Sequence, residues 1–431
     1  MSTPVRVAIA GLGNRGREAY AKCQFMFPEL MKITAVADIL PERVKEAAET
    51  FGIQKDMCFS SAEEMCAKKD LADTVFLCTP DQKHTESAIL ALKSGYHLLL
   101  EKPMAPTPEE CERITRAAEE SGKKTAVCHV LRYTPFFQAL KGVLKNGEIG
   151  ELVTVQAIEN VGYYHQAHSF VRGNWRNSDL SSPMILQKCC HDMDMILWLS
   201  GKRLKSVSAF GDLYLFKQSK APAGAAKRCL DGCGAKDDCP YDAEKIYITD
   251  KSTGTAGGNK GWPLNVLAAN PTEESIREAI KTGPYGRCVY HCDNNVTDHM
   301  VVNLLLEDEL TVNFTMTAFT NDTSRYLKFM GTLGDIVADM RKNTIVVTPF
   351  GKTPRTIDIA AQAKDLAGHA GGDHRMVREF LTLIKEGGGS ALTAVQNSSE
   401  SHLACFAAEH SRLNGGMVVA AADFRKRFKK Q

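Results

Sequence analysis

Lys102 and His191 have the side-chain types and settings that proton and hydride chemistry on an alcohol requires. Lys102 lies in Glu101-Lys102-Pro103, directly after the apolar run His97-Leu98-Leu99-Leu100, which reads as a buried strand. The carboxyl ends of parallel strands border the ligand crevice, so a lysine there can hydrogen-bond a substrate hydroxyl. Beside a cationic cofactor ring its pKa falls, and it can then move protons. His191 opens His191-Asp192-Met193-Asp194, ahead of the apolar helical run Met195-Ile196-Leu197-Trp198-Leu199. At a helix start the positive end of the dipole disfavours imidazolium, leaving a neutral base that can take a hydroxyl proton. Asp194, three residues on, shares that helix face and can orient the ring, although the pair also reads as a plain helix cap.

A cofactor for such chemistry is legible in residues 5–38. Val5 to Ala10 is a short apolar strand, Gly11-Leu12-Gly13-Asn14-Arg15-Gly16 a G-x-G-x-x-G turn, and residues 17–25 a helix. The second strand, Ile33 to Ala37, ends at Asp38, 22 residues after Gly16. Gly11 makes the tight turn, Gly13 lets backbone approach a pyrophosphate, and Gly16 allows helix–strand contact. Asn14 and Arg15, at the helix start, border the free N–H groups that receive phosphate. Asp38 can accept from a ribose 2′-hydroxyl and would repel a 2′-phosphate, which selects NAD over NADP. Arg15 and Arg43 keep NADP open.

A substrate surface is expected from Arg132 and Tyr133, which follow the last strand of this region, and from Glu159 with the loop after it. That loop carries Tyr163, Tyr164, His165, His168, Arg172, Asn174, Trp175 and Arg176, with Gln187, Lys188 and Asp194 further on. Aromatic faces among directional donors suit a polyhydroxylated ring, and the arginines suit an acidic group. A polar loop or an oligomer contact has the same composition.

Of the fourteen cysteines, Cys23, Cys58, Cys66, Cys78, Cys111, Cys128 and Cys405 are scattered through apparent core elements and read as small hydrophobes. Cys229-x3-Cys233-x5-Cys239 and Cys288-x3-Cys292 are different. Cys229, Cys233, Cys239 and Cys288 suit a structural zinc or an iron–sulfur cluster that staples a loop-rich segment, with Cys292 the other choice for the fourth ligand. Unligated thiols in a loop are the plain alternative.

The elements that position these residues alternate strand and helix through residue 128: a doubly wound parallel sheet of the Rossmann type, read as a dinucleotide-binding domain over 1–128. Ser61 and Thr107-Pro108-Glu109-Glu110 are helix starts within it. Over 129–431 the strands lengthen and alternate in polarity (Leu152 to Glu159, Leu204 to Phe216, Val296 to Leu306, Glu309 to Phe319), with more at Tyr326 to Met330, Ile336 to Asp339 and Thr344 to Pro349. That pattern implies an α+β domain, a large open, mostly antiparallel sheet with helices on one face, to which the resemblance given below adds a substrate and oligomerisation role. Residues 218–290 show little periodicity and read as a Cys-rich insertion, with a mobile loop at 249–260. The basic run 425–430 reads as a solvated terminus.

At 431 residues, 44% apolar and 24% charged, the chain has the composition of an ordinary globular protein. A formal charge of +2 argues against a nucleic-acid partner. No stretch approaches the roughly 20 apolar residues of a membrane span, and strand one leaves no room for a signal peptide. The expected location is cytoplasmic.

Four motifs in order, namely the glycine fingerprint, Thr79-Pro80 with His84, Glu101-Lys102-Pro103 and His191-x-x-Asp194, resemble the Gfo/Idh/MocA oxidoreductases. The resemblance spans the chain apart from 218–290. It implies a Rossmann domain followed by an open-sheet domain, with a sugar or cyclitol bound between them. Thr79, Pro80, His84 and Glu101 then join the cofactor set, and the catalytic lysine and histidine fall on Lys102 and His191. The expected reaction is hydride transfer from a secondary alcohol to nicotinamide, with His191 as proton acceptor and Lys102 orienting the oxygen. Many members have an aspartate four residues before the histidine. Gln187 stands there, and an amide holds a hydroxyl but exchanges no proton at neutral pH. Two other readings follow from the resemblance: redox-assisted glycoside cleavage with no net NADH, and a non-catalytic dinucleotide-binding regulator. A homo-dimer or homo-tetramer is implied by analogy.

Overall fold

The computed structural model describes residues 3–363 and 367–428. Strands β1 (Val5–Ala10), β2 (Met31–Ala37), β3 (Cys58–Phe59), β4 (Thr74–Leu77), β5 (His97–Leu100) and β6 (Thr125–Val127) form one sheet in the order β3-β2-β1-β4-β5-β6. Every pair in it is parallel. These strands are short and apolar because helices cover both faces, so both sets of side chains are buried. The order reverses between β1 and β4, which leaves the loops after those strands opposed across a crevice. Helices start where short polar side chains accept a backbone N–H: Ser61 from Glu64, and Thr107 from Glu110 ahead of Pro108.

The second sheet contains β7 (Leu152–Asn160), β8 (Leu204–Asp212), β9 (His299–Leu306), β10 (Thr311–Thr317), β11 (Ser324–Gly331), β12 (Gly334–Asp339), β13 (Thr344–Pro349), β14 (Arg355–Asp358) and β15 (Val419–Ala420). Its order is β14-β13-β12-β11-β7-β10-β9-β8-β15. Within this sheet, among the described residues, β7 and β10 pair in parallel and every other pair is antiparallel. Alternate residues of β7, β9 and β10 are buried, so one face packs on helices Cys190–Ser200 and Val395–Leu413. Helix Ala367–Glu386 reaches back to the first sheet and buries Met376, Val377, Phe380 and Leu381 with Val7, Ile9 and Phe76.

Several boundaries differ from those expected. The first helix opens at Asn14 as wide turns through Ala21, then re-forms over Cys23–Met26. β8 stops at Asp212 and β9 begins at His299, because the buried Asp298 carboxylate accepts the N–H groups of Tyr214 and Leu215 and turns the chain out of the sheet. The insertion at 218–290 is not structureless. Ile246, Tyr247, Leu264, Ile276, Ile280 and Tyr285 form a small core there with Ala167 and Val171. Its segment 249–260, expected to be mobile, is wrapped around Asp250, whose Oδ1 accepts from Ser252 N at 2.7 Å and Thr253 N at 2.9 Å. Of the basic terminus, Arg425 pairs with Glu400 at 2.7 Å, while Lys429 and Lys430 lie outside the described residues. Among the described residues no helix is long and apolar enough to cross a membrane.

Candidate active site

The glycine turn after β1 is shaped by what its residues lack. Gly11 has φ +87°, and a Cβ there would lie 2.6 Å from the Cys78 carbonyl. A Cβ on Gly16 would lie 1.9 Å from Gly11 O. At Gly13 the nearest atom to a Cβ would be Arg43 Nη1 at 3.9 Å, so its backbone faces open space where a dinucleotide can approach. The helix beginning at exposed Asn14 has no side-chain cap, which leaves N–H donors for phosphate. Asp38 accepts from Leu12 N at 2.6 Å and Leu40 N at 2.9 Å, fixing its carboxylate at the end of β2. These residues fit a dinucleotide.

Arg15, expected among the phosphate contacts, points elsewhere. It pairs with Glu101 at 2.8 Å and Asp373 at 2.7 Å, so the 2′-phosphate role weighed for it is taken up by two carboxylates. Arg43 remains half-exposed, 3.7 Å from Asp38. His84 is fully buried, its ring nitrogens 2.9 Å from Pro103 O and 2.8 Å from Thr79 O. It ties the β4 and β5 loops together. Thr79 and exposed Pro80 follow β4 on the crevice edge.

Lys102 follows β5, and its Nζ donates to the Gln187 carbonyl at 2.8 Å and stands 5.7 Å from the centre of the Trp175 ring. Glu101 is fastened behind it by Arg15, by Tyr20 Oη at 2.6 Å and by the Lys102 N–H at 2.9 Å. Burial pushes the Glu101 carboxyl up, but the Arg15 and Lys102 charges outweigh it, and the net shift is downward. His191 sits in the first turn of helix Cys190–Ser200, 6% exposed. Burial, then the Lys102 charge, hold its pKa well below the usual histidine range. Its Nδ1 has no hydrogen-bond partner. Lys102 and His191 thus come close enough for the lysine charge to act on the imidazole.

Most of the expected substrate residues have other partners. Arg132 and Asp194 bind each other through two bonds of 2.8 and 2.6 Å, both buried, so Asp194 does not orient His191 and Arg132 does not face the cleft. Tyr133 is core, with its hydroxyl 3.1 Å from Thr393 Oγ1. Glu159 pairs with Lys188 and Arg325, each at 2.9 Å, and Arg325 also pairs with Asp192 at 2.7 Å. Burial pushes the Asp192 carboxyl up to about 6 against the pull of Arg325. His168 is buried, stacked on Tyr285 and bonded to Tyr247 Oη at 3.0 Å. Arg176 is bound by Asp293 and Arg172 by backbone carbonyls. Gln187 donates to Asp81 Oδ2 at 2.9 Å, where Ser182 also binds, so its amide is turned onto the first domain. Half-exposed Trp175 remains beside Lys102, and half-buried His165 packs 4.9 Å from the Trp262 ring of the insertion.

Residues that the sequence reading did not single out complete the surroundings. The His129 ring lies 5.7 Å from His191 and 5.5 Å from His402, and His369, bound to Asp373 at 3.0 Å, lies 6.4 Å from His191. The spacing His369-x3-Asp373 on a helix was the available signal.

The expected tetrahedral zinc on Cys229, Cys233, Cys239 and Cys288 is not pre-formed. Among the described residues, no three His, Cys, Asp or Glu side chains converge as a single ion requires. The four cysteines line one concavity together with Arg172.

Comparison with known proteins places these observations. The oxidoreductase family with an NAD-binding Rossmann fold (GFO_IDH_MocA) matches residues 5–129, and the C-terminal domain of the same family matches 137–227. The chain is 22% identical over 393 residues to the Bacillus subtilis (strain 168) protein YteT, covering 86% of this chain and 82% of that one. It is 28% identical over 283 residues to D-glucoside 3-dehydrogenase of Escherichia coli (strain K12), covering 64% of this chain and 74% of that protein. The structure of a levoglucosan dehydrogenase with NADH and levoglucosan superposes with TM-score 0.70 at 18% identity, covering 97% of this chain and 100% of that one.

Proposed function

The chain belongs to the Gfo/Idh/MocA oxidoreductases, and we propose that it oxidises a secondary alcohol of a sugar or cyclitol, with His191 as base and Lys102 holding the oxygen. The observation that carries this reading is the buried His191, its Nδ1 without a partner and its pKa lowered by burial and then by the Lys102 charge. In the balanced step the carbinol C–O bond becomes a carbonyl, the hydroxyl proton passes to the imidazole, and hydride leaves the same carbon. NAD bound at the glycine turn supplies the acceptor for that hydride. An ammonium has three donors; Lys102 gives one to Gln187 O and can turn another to the substrate oxygen. Trp175 offers that sugar an apolar face next to Lys102. Asp38, already holding two backbone amides, favours the unphosphorylated ribose of NAD.

We place the boundary between cofactor and substrate domains at residue 128. The sugar class is supported by the relatives named for a glucoside and for levoglucosan. Incubation with a panel of sugars and cyclitols should give NADH with at least one of them. His191→Ala should lower kcat by about 10²–10⁴ while NAD affinity, read by calorimetry, stays within about threefold. Full activity in His191→Ala, or no NADH from any polyol, contradicts the proposal.

A further inference from the structure

We infer that Trp262, carried by the insertion, is a second stacking platform, so that the site takes a glycoside of two rings. The ring to be oxidised lies against Trp175 beside Lys102, and the ring joined to it lies against Trp262. This rests on the proposed Lys102–His191 site for which of the two rings reacts.

Sugar rings present apolar C–H faces between their hydroxyls, and an aromatic side chain with open surface is suited to cover such a face. Tryptophan is highly buried on average, whereas Trp175 and Trp262 are 40% and 37% exposed. A row of rings joins them. Lys102 Nζ stands 5.7 Å from the Trp175 ring, which lies 5.8 Å from Phe170. Phe170 lies 5.6 Å from His165, and His165 lies 4.9 Å from Trp262. Phe170 is buried and backs the row, while Trp175, His165 and Trp262 keep open surface. Burial, then the Lys188, His168 and Lys102 charges, hold the His165 pKa well below the usual histidine range. Trp262 therefore adjoins, through His165, the surroundings of Lys102.

The loop bearing Trp262 is fixed by its own hydrogen bonds. Asn259 Nδ2 donates to Thr253 O at 3.0 Å and to Trp262 O at 3.2 Å, and its Oδ1 accepts from Gly261 N at 2.9 Å. Leu264, two residues on, is fully buried in the core of the insertion. A ring already held in place loses little freedom when a ligand covers it. Tyr164, 6.1 Å from Trp262, offers the second ring a polar contact through its exposed hydroxyl, 3.4 Å from Thr323 Oγ1. Trp262 lies outside both segments matched by the family domains, 5–129 and 137–227, so the insertion adds this platform to them. A ring that only docked the insertion would affect stability and not ligand size.

The test compares glucose and galactose with cellobiose, maltose, lactose and phenyl β-glucoside, which join a second ring to those hexoses. Affinity for the full chain with NAD is read by calorimetry. At least one two-ring ligand should bind about three- to tenfold tighter than its hexose. Trp262→Ala should remove that preference and Trp262→Phe should keep most of it, while Trp175→Ala should weaken both kinds of ligand. A preferred disaccharide identifies a second sugar and preferred phenyl glucoside alone an aromatic aglycone, and either supports the platform. Should Trp262→Ala fail to fold, fluorescence gives the readout, because the chain has only three tryptophans. In Trp175→Phe only Trp198 and Trp262 remain, and a two-ring ligand should quench emission where its hexose does not. Equal affinity for hexose and glycoside, binding of none of them, or a preference that survives in Trp262→Ala overturns the inference. No turnover is needed, so a preference without NADH would defeat the dehydrogenase and leave the platform standing.

Discussion

The two walls of the cleft are built on opposite principles. The cofactor wall is defined by missing atoms: Gly11, Gly13 and Gly16 clear a path of bare backbone, and the Asp38 carboxylate at the end of β2 is tied to two amides. The side proposed for substrate is backed by charges that have already found partners, Arg325 and Lys188 with Glu159 and Asp192, and, buried behind them, Arg132 with Asp194. Adding atoms should therefore break the first wall, and removing them should break the second. Burial and then the Lys102 charge lower the His191 pKa, and the carboxylates nearest to it in sequence, Asp192 and Asp194, are each bound to an arginine.

The largest effect is expected from removal on the substrate wall. Arg325→Met would strand Asp192 as a buried carboxylate and leave Glu159 with Lys188 alone, at a cost of about 3–5 kcal/mol, read by denaturant unfolding. A change within about 0.5 kcal/mol would mean that the network is solvated and that the contrast between the walls is false. Addition on the cofactor wall comes next. Gly11→Ala meets the Cys78 carbonyl at a positive φ and should cost about 1–3 kcal/mol, whereas Gly13→Ala has room and should leave stability intact while weakening NAD binding about tenfold or more. Equal losses of stability at the two glycines would remove the distinction drawn between them.

Protonation is a third way to break the substrate wall. Burial holds His191 and His129 well below the usual histidine range and His168 and His402 at about 3. Their folded pKa values lie below the unfolded value of about 6.5, so the unfolded chain binds more protons beneath that pH. Stability should be level above about 7 and fall as pH drops below about 6.5 toward 3, by up to about 1.4 kcal/mol per pH unit for each ring. Thermal unfolding at stepped pH reads this, and a flat profile between pH 7 and 5 would contradict it. The smallest effect concerns cofactor choice: Asp38→Asn should shift the NAD to NADP affinity ratio by roughly three- to tenfold toward NADP. An unchanged ratio would show that Asp38 does not face the ribose.

The same contrast governs what could be read from residues alone. Strand, glycine turn, helix and Asp38 follow one another, so their jobs are set by neighbours, and the sheet order follows from the alternation. On the other wall the decisive partners are distant: Arg132 with Asp194, 62 positions on, Gln187 with Asp81, 106 away, and Arg15 with Asp373, 358 away. An arginine's type does not reveal whether it will meet a ligand or close a buried carboxylate, and Arg132, Arg172 and Arg176 all did the latter or capped carbonyls. The insertion looked structureless because its core gathers scattered aromatics, Tyr241, Tyr247 and Tyr285, and aliphatics such as Ile246, Leu264, Ile276 and Ile280 from separate short segments.

The most direct test of the account is mass spectrometry of a sugar, cyclitol and aryl-glycoside library, incubated with the protein and excess NAD in heavy water. A product lighter than its substrate by one hydrogen molecule, with matching NADH that vanishes in His191→Ala, is the predicted result. An aglycone released from a sugar that has gained deuterium, with no net NADH, would contradict it.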